Sequence, residues 1–594
     1  MRKSFLFIAV ALCAMITSCN KDVPTVIEAS LDVNKTSVTF SEQQQDPQEI
    51  KVTSTYPWEL TSPADWFTVT PASGEAGETT VTITLNTTDF SEELSEQIVI
   101  TSEGITKTIN VSLQETVIYA AESLTITAPR RKVVVGESME FEVTIYPQDA
   151  VLNGDITWSS SSEEIATIEN GVITGVAAGA VTITASVEGL ADAVFEMEVT
   201  DEFITDGTGE DITFDYLSQF EVTGVTTTDY GYHLASSFTV AENDVLTMKE
   251  EKHITADSGV TIYIEGTLDL GGEELVSFEK MSEEDDDVVI FFTGDLEAGG
   301  QVTNMVFYGV YFKYYGADDV DVTNCFFEGV TSNNSVFNLG GDGTITIDGC
   351  EFSENAYPAI SGAANIATGL VFSNNNLYKN CWNATNKPQI NVTVGGYKKV
   401  EIKNNEVVGP AEITTNGGIA VSNMVNIEGT NKVLIEGNNV QDNRYGITLY
   451  GAMNATINDN YLLNNNYESN AMNGGSGLSF YYMGTELNIM MSGNHIEGHF
   501  WGITNISMTG TSGPNLNLGN LEDGDNYNPG GNVFINNGNN GVLYDLYNNS
   551  ANTVYAQGNT WNVEVQDQES IEEVIFHKND NSALGEVIFM PAAE

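Results

Sequence analysis

From residue 201 onward one six-residue pattern keeps returning: an apolar residue, two mostly polar or small residues, Asn or Cys, any residue, and a second apolar residue. It reads Val322-Thr323-Asn324-Cys325-Phe326-Phe327, then Ile347-Asp348-Gly349-Cys350-Glu351-Phe352. Later copies are Phe372 to Leu377, Ile402 to Val407, Ile435 to Val440, Ile457 to Leu462 and Met491 to Ile496, with looser ones centred on Asn532 and Asn559. Their fourth positions fall 22 to 38 residues apart. A unit that short cannot enclose a core of its own, so each repeat must stack on its neighbours. With β-forming runs and polar corners, the period predicts a parallel β-helix; the Leu-x-x-Leu-x-Leu of leucine-rich repeats is absent. Asn suits the corner because it tolerates left-handed backbone angles, and stacked amides can bond along the ladder. The same register stacks Cys325 on Cys350.

Ahead of the repeats, residues 30–115 and 119–200 alternate apolar and polar residues in short runs. Thr80-Val81-Thr82-Ile83-Thr84-Leu85 and Gly179-Ala180-Val181-Thr182-Ile183-Thr184-Ala185 are examples, with turn chemistry such as Pro71-Ala72-Ser73-Gly74 between runs. Period-two patterning at this spacing predicts two β-sandwiches. The expected fold is all-β: two sandwiches, then a β-helix over 201–594.

Several segments resemble known families. Pro57-Trp58-Glu59-Leu60 and Ala64-Asp65-Trp66-Phe67 through Gly74, with Gln97 to Ser102, look like a BACON domain, a module common in gut Bacteroidota and proposed to bind carbohydrate or mucin. That resemblance would let Trp58 and Trp66 stack on sugar rings, unless they fill the sandwich. Ile156-Thr157-Trp158-Ser159 and Gly171-Val172-Ile173-Thr174-Gly175 resemble a bacterial immunoglobulin-like domain of group 2, usually a rigid stalk unit with Trp158 in its core. Asn443-Arg444-Tyr445-Gly446-Ile447-Thr448-Leu449 is similar to NosD-like and pectate-lyase-like repeats, which implies a right-handed helix. The superfold hosts lyases, hydrolases, adhesins and binders alike, so it names no activity.

The start of the chain bears on compartment. Arg2 and Lys3 precede an apolar run from Phe5 to Met15, and Ile16-Thr17-Ser18-Cys19 resembles a bacterial lipobox. The resemblance implies removal of residues 1–18 and acylation of Cys19, with 19–29 as a linker. Attachment to the outer membrane, on its outer surface, would then be through lipid alone. The chain holds 84 acidic and 21 basic side chains, a net charge of −63. Such a field repels nucleic acid and polyanionic glycans and mainly supports solubility. Cys325, Cys350 and Cys381 lack CxxC spacing and neighbouring histidines, which speaks against zinc.

Repeats longer than the 22-residue minimum must loop outward, and such loops cluster on binding faces. The longest excesses, 377–399, 409–424, 464–484 and 508–530, carry or adjoin the aromatics Trp382, Tyr397, Tyr445, Tyr467, Tyr481, Tyr482, Trp501 and Tyr527. An aromatic shelf over an acidic, Asn-rich groove fits a neutral or cationic polysaccharide or host glycan, CH faces on rings and hydroxyls on carboxylates and amides. The insertions after Asn375, Asn405, Asn460 and Asn494 are expected on one side, lining a cleft with Trp382, Tyr445, Tyr481, Tyr482 and Trp501. Asp442, Arg444 and His499 are the catalytic candidates if the groove is a lyase or hydrolase site. Arg444, the sole arginine after residue 200, would be a lyase base or a surface ion pair. Gly498-His499-Phe500 lacks the second glycine of the polygalacturonase Gly-His-Gly segment, and the Asn-Thr-Asp and Arg-Ile-Lys motifs are missing. No organic cofactor is implied. Calcium is the ion that Glu283 to Asp287, or Asp523 and Asp525, would suit, though neither run has EF-hand spacing. A purely structural, adhesin-like stalk is the remaining alternative.

Overall fold

Alternation of apolar and polar residues builds both N-terminal modules. In the computed structural model, which describes residues 28–593 except 42–43, 63, 89, 91, 115–119, 149, 250, 285, 294–297, 363–367, 384–385, 394–397, 411, 424–431 and 511, the chain forms two units. Cys19, its leader and Tyr397 lie outside the described residues. Among the described residues no helix is long and apolar enough to cross a membrane.

The first unit, built mainly from residues up to Ser123, pairs a four-stranded with a five-stranded sheet. Strand Gln48–Ser54 buries Ile50 and Val52, and strand Leu94–Ser102 buries Ile98 and Ile100, each turning the residues between them outward. Trp58 is 1% exposed, and a Cβ on Gly74 would lie 2.6 Å from its indole nitrogen. The glycine is what lets the ring pack there, and the same packing removes Trp58 from any sugar. Trp66 is half-buried, edge-on to Phe67.

The second unit holds most of the second sandwich together with the coils. Trp158 stays half-exposed beside Phe141, at 5.6 Å between ring centroids. This sandwich meets the first coil through Arg130. Its guanidinium is 2% exposed, pairs with Glu137, and lies 5.0 and 4.5 Å from the rings of Phe203 and Phe220. A buried cation needs such partners, here a carboxylate and two π faces. Main-chain N–H groups of Arg131 and Lys132 donate to Asp206, at 2.8 and 3.1 Å.

Every full coil then runs through three parallel sheets, here called A, B and C. One turn is Thr344–Asp348 in A, Glu351–Ser353 in B, Ile360–Gly362 in C, and back to A at Gly369–Ser373. Sheet A has 14 strands and sheets B and C have 13 each, parallel apart from an opening hairpin at Val225–Thr228 and Gly231–Leu234. This is a parallel β-helix. Inward side chains stack at like positions, as in Phe327 on Phe352, ring centroids 4.9 Å apart. Short helices at Phe214–Leu217 and Gln568–Glu572 bury Phe214, Leu217 and Ile571 near the two ends.

The repeated Asn or Cys forms a buried ladder at the A-to-B corner. Cys325 N–H donates to Cys350 Sγ at 3.4 Å, and Cys350 N–H to Asn375 Oδ1 at 2.8 Å; both thiols are free. The series continues through Asn405, Asn438, Asn460, Asn494, Asn532 and Asn559, each amide oxygen taking the N–H of the rung before. The left-handed backbone expected of the rung falls one residue earlier. Asn324, Asn374, Asn404 and Asp459 have φ of 53° to 56°, with Gly349, Gly437 and Gly493 at 66° to 68°. One residue turns the chain and the next supplies the amide.

A second buried ladder occupies the B-to-C corner, built the same way. Glu354, Lys379, Asp442, Asn464 and Asn536 turn at φ of 51° to 58° just before Asn355, Asn380, Asn443, Asn465 and Asn537. Gln389 bridges Asn380 and Asn443, while His499 bridges Asn465 and Asn537, its ring nitrogens 3.2 Å from each.

Candidate functional site

Three of the long insertions leave the stack at the B-to-C corner, as segments 379–387, 409–416 and 464–475. The fourth does not. At that corner its coil spends only residues 498–500, and its excess opens instead at 508–514 and 520–532, on the other two corners. The expected single-sided cluster therefore holds for the insertions after Asn375, Asn405 and Asn460 and fails for that after Asn494.

Beside this corner the outer face of sheet C carries a cavity of about 440 Å³. Arg444, Tyr445, Tyr481 and Trp501 line it together. Trp501 donates its indole N–H to the Ala471 carbonyl at 2.8 Å, and Arg444 donates to Asn386 Oδ1 and the Asn473 carbonyl. These two side chains thus tie the segments at 379–387 and 464–475 to the sheet. Arg444 takes amide oxygens as partners, not the surface carboxylate considered from sequence. Tyr445 fits because Gly417 has no side chain: a Cβ there would sit 2.1 Å from the ring. Burial pushes the Tyr445 hydroxyl well above its ordinary pKa, outweighing Arg444, and burial raises Tyr481 likewise. Neither phenol is prepared to act as a base.

The sheet supplies the floor. Register aligns Thr448, Ser479, Thr504 and Tyr547 on the outward face. Thr448 and Ser479 hydroxyls lie 2.8 Å apart, those of Ser476 and Thr504 3.2 Å. Trp501 packs against Tyr544 and Tyr547, centroids 4.6 and 5.0 Å away. Sequence reasoning missed the hydroxyl row and both tyrosines. Their signal was the outward half of the period-two pattern, invisible until the coil register was known.

Other candidates lie elsewhere. Neighbours on a strand face opposite ways, so Tyr482 turns from Tyr481 and packs on the core. Trp382, 45% exposed, sits on the sheet B side among Glu328, Glu354 and Glu412, its indole donating to the Glu354 carbonyl. Asp442 heads the second ladder; burial raises its pKa, Tyr467 bonding to it lowers it, and it does not line the cavity. His499 is a ladder rung, 1% exposed, and burial lowers its pKa to about 4. An enclosed neutral imidazole bonded on both sides is a structural group, which corrects its candidacy as catalytic. Asp523 and Asp525 lie exposed in the 520–532 segment, and among the described residues no group of three or more His, Cys, Asp or Glu could hold a metal ion.

The His499 rung makes a pH prediction. Asp545 accepts from Asn537 Nδ2 at 3.2 Å and from Asn562 N–H at 2.8 Å, and burial raises its pKa to about 7, against the lowering by those bonds. Between pH 4 and 7 the folded chain holds a proton on Asp545 that the unfolded chain has released, so stability falls as pH rises. Between pH 6.5 and 4 the unfolded chain protonates His499 and the folded chain does not, so stability falls as pH drops. The two slopes oppose each other. Asp545→Asn should expose the histidine slope, with Tm dropping on acidification from pH 6.5 to 4, and His499→Asn the aspartate slope, with Tm dropping from pH 4 to 7. Calorimetric scans across that range check it; parallel profiles in both variants would contradict it.

Both sandwiches match family models. Residues 30–116 match the viral BACON domain and residues 120–194 the bacterial Ig-like domain of group 2. These modules point to an adhesive or carbohydrate-related surface protein. No curated protein matches the chain. Among solved structures, a Bacteroides ovatus GH5 xyloglucanase in complex with a XXXG heptasaccharide is 22% identical over 16% of this chain and 22% of its own, with a TM-score of 0.14. The D0-D1 domain of intimin is 15% identical over 29% of this chain and 97% of its own, with a TM-score of 0.12. The S-layer protein SbsC is 19% identical over 29% and 28%, with a TM-score of 0.18. The chain spans about a fifth of the xyloglucanase, by the 22% coverage.

Proposed function

We propose that the protein is an outer-membrane lipoprotein, held at the cell surface through acylated Cys19, whose β-helix binds glycan in the sheet C cavity. The sandwiches are its stalk. The observation that carries this reading is the composition of the lining: in a chain of net charge −63, the described residues of the cavity walls supply Arg444, aromatic rings, hydroxyls and amides, with no carboxylate among them. Glycosidase chemistry needs a carboxylate pair, and the lining offers none; stacking and hydroxyl recognition need what is there.

Glycan arrays followed by titration calorimetry test it. Trp501→Ala should weaken binding by roughly 1 to 3 kcal/mol, the scale of a lost aromatic contact. Arg444→Ala should leave most of the affinity, whereas in a lyase it would abolish turnover. Wild-type affinity in both Trp501→Ala and Tyr481→Ala would remove the cavity as the site. For the anchor, Cys19→Ala should shift the protein from the membrane fraction to the soluble one, and a mutant that still sediments with membranes would refute lipid attachment.

A further inference from the structure

Sheet A has an outer face of its own, and late in the stack it is hollowed into a groove of about 770 Å³. The strands beneath it run from Lys399–Lys403 through Lys432–Glu436, Met453–Asn458, Leu487–Ser492 and Asn515–Gly519 to Val554–Ala556. At ~4.8 Å between strands, that is about 24 Å along the stack.

Register sets two outward rows along this length. The first is Lys399, Lys432, Asn454, Asn488 and Asn515. The second is Glu401, Leu434, Thr456, Met490, Asn517 and Tyr555, with Glu401 held between Lys399 and Lys403. In the first row the carboxamides are tied to one another: Asn488 Nδ2 donates to Asn454 Oδ1, and Asn515 Nδ2 to Asn488 Oδ1, both at 2.8 Å. A carboxamide has two donor hydrogens and two acceptor lone pairs. The tie uses one of each on Asn488, fixes the plane of the amide, and leaves one of each for a ligand. That donor–acceptor pair suits adjacent hydroxyls on a sugar ring. The second row alternates apolar Leu434, Met490 and Tyr555, the last 37% exposed, with Thr456 and Asn517, and CH faces can lie on its apolar members.

Access and charge agree with such a ligand. The C-to-A corner between strands Ile447–Gly451 and Met453–Asn458 is the single residue Ala452, so little overhangs the face there. The far end is walled by the 520–532 segment, where Asn517 Nδ2 donates to the Asn526 carbonyl at 2.9 Å. Among the described residues the one carboxylate on either row is Glu401, paired with Lys399 and Lys403 at the end of the groove, in a protein whose net charge is −63. The two lysines stand together at one end, and Lys399 is already engaged by Glu401. A polyanion would meet cations only there and the repulsive field of the whole chain elsewhere.

We propose that this groove is a second glycan site, taking an extended, uncharged polysaccharide laid along the stack. A ligand that repeats along its length meets a wall that repeats at coil pitch, with hydroxyls on the carboxamide row and CH faces on the apolar members of the second row. The site is independent of the sheet C cavity.

Titration calorimetry of the full chain with cello-, xylo-, manno- and maltohexaose, and with the matching disaccharides, tests it. At least one hexaose should bind, and at least tenfold more tightly than its disaccharide, because the groove spans several coils. Asn488→Leu and Tyr555→Ala should each weaken that hexaose about five- to hundredfold, and Asn488→Asp, which keeps the shape and loses the donor, should weaken it too. Trp501→Ala, in the other cavity, should leave it within twofold. Absence of binding by all four hexaoses, wild-type affinity in both groove variants, or a loss confined to Trp501→Ala would each overturn the proposal.

Discussion

Asp287→Ala is expected to destabilise the β-helix by about 3 to 5 kcal/mol, the cost of breaking a buried ion pair from one side. Lys280 Nζ and Asp287 Oδ1 are 2.8 Å apart and both side chains are 0% exposed. The carboxylate also anchors the coil two turns on, across the single-residue corner Gly309: Oδ2 accepts the N–H groups of Thr331 and Ser332 at 2.9 and 2.7 Å, and Oδ1 the Thr331 hydroxyl at 3.2 Å. Removing it takes a buried carboxylate from the ammonium and leaves two main-chain donors without their acceptor. Urea unfolding followed by circular dichroism should show the coil transition moved to lower denaturant, with the first sandwich transition unmoved. A double replacement, Lys280→Met with Asp287→Leu, should recover part of the loss, since it removes the buried charges together. An unchanged midpoint for Asp287→Ala would show that the pair is not enclosed as described.

Asn438→Leu should cost about 3 kcal/mol or more, for a different reason. Its amide oxygen accepts from Asn405 N–H at 3.0 Å and Asn405 Nδ2 at 2.9 Å, while its own Nδ2 donates to the Ile402 carbonyl and to Asn460 Oδ1. Leucine keeps asparagine's four-atom branched shape, with more bulk and none of its hydrogen bonds, so several buried groups lose partners at once, at about 1 to 3 kcal/mol each. The last rung is a useful contrast. Asn559 takes the N–H and Nδ2 of Asn532, at 2.8 and 2.9 Å, but directs its own Nδ2 to main-chain carbonyls and to no further rung. Asn559→Leu should therefore cost about as much, but with the loss confined to the end of the ladder. Hydrogen exchange at the Asn405 amide should accelerate in Asn438→Leu and stay slow in Asn559→Leu; equal protection in both would argue against a cooperative ladder.

The acidic run from Glu283 to Asp287 shows where local reading stops. As sequence it is a cluster of hard oxygen ligands or a solvated loop, yet its last residue is enclosed by Lys280 and by Thr331, two coils on. Nothing in the run itself distinguishes Asp287 from Asp286, because the difference lies in what stacks beneath it. His499 is similar: near Trp501 in sequence it was a catalytic candidate beside a glycan-binding one, but the corner places the imidazole inside and the indole outside.

What the sequence determined by itself was whatever repeats. The spacing of Cys325, Cys350, Asn375 and the later asparagines set the coil length, the ladder and its register, because a period of polar corners and apolar runs has few ways to bury its interior. Two alternating modules in front of it were legible for the same reason, as each strand carries its own inside and outside. The tertiary structure alone decided which outward residues meet. Arg444, Tyr481, Trp501 and Tyr547 share one cavity, and Asn488, Met490 and Tyr555 one groove, because parallel strands bring residues from successive coils within one strand spacing. Trp382 and Tyr482, equally promising by residue type, were parted from them by a corner and by the pleat. An outward side chain is under no packing constraint that periodicity could reveal, so its neighbours are set by register and loop direction.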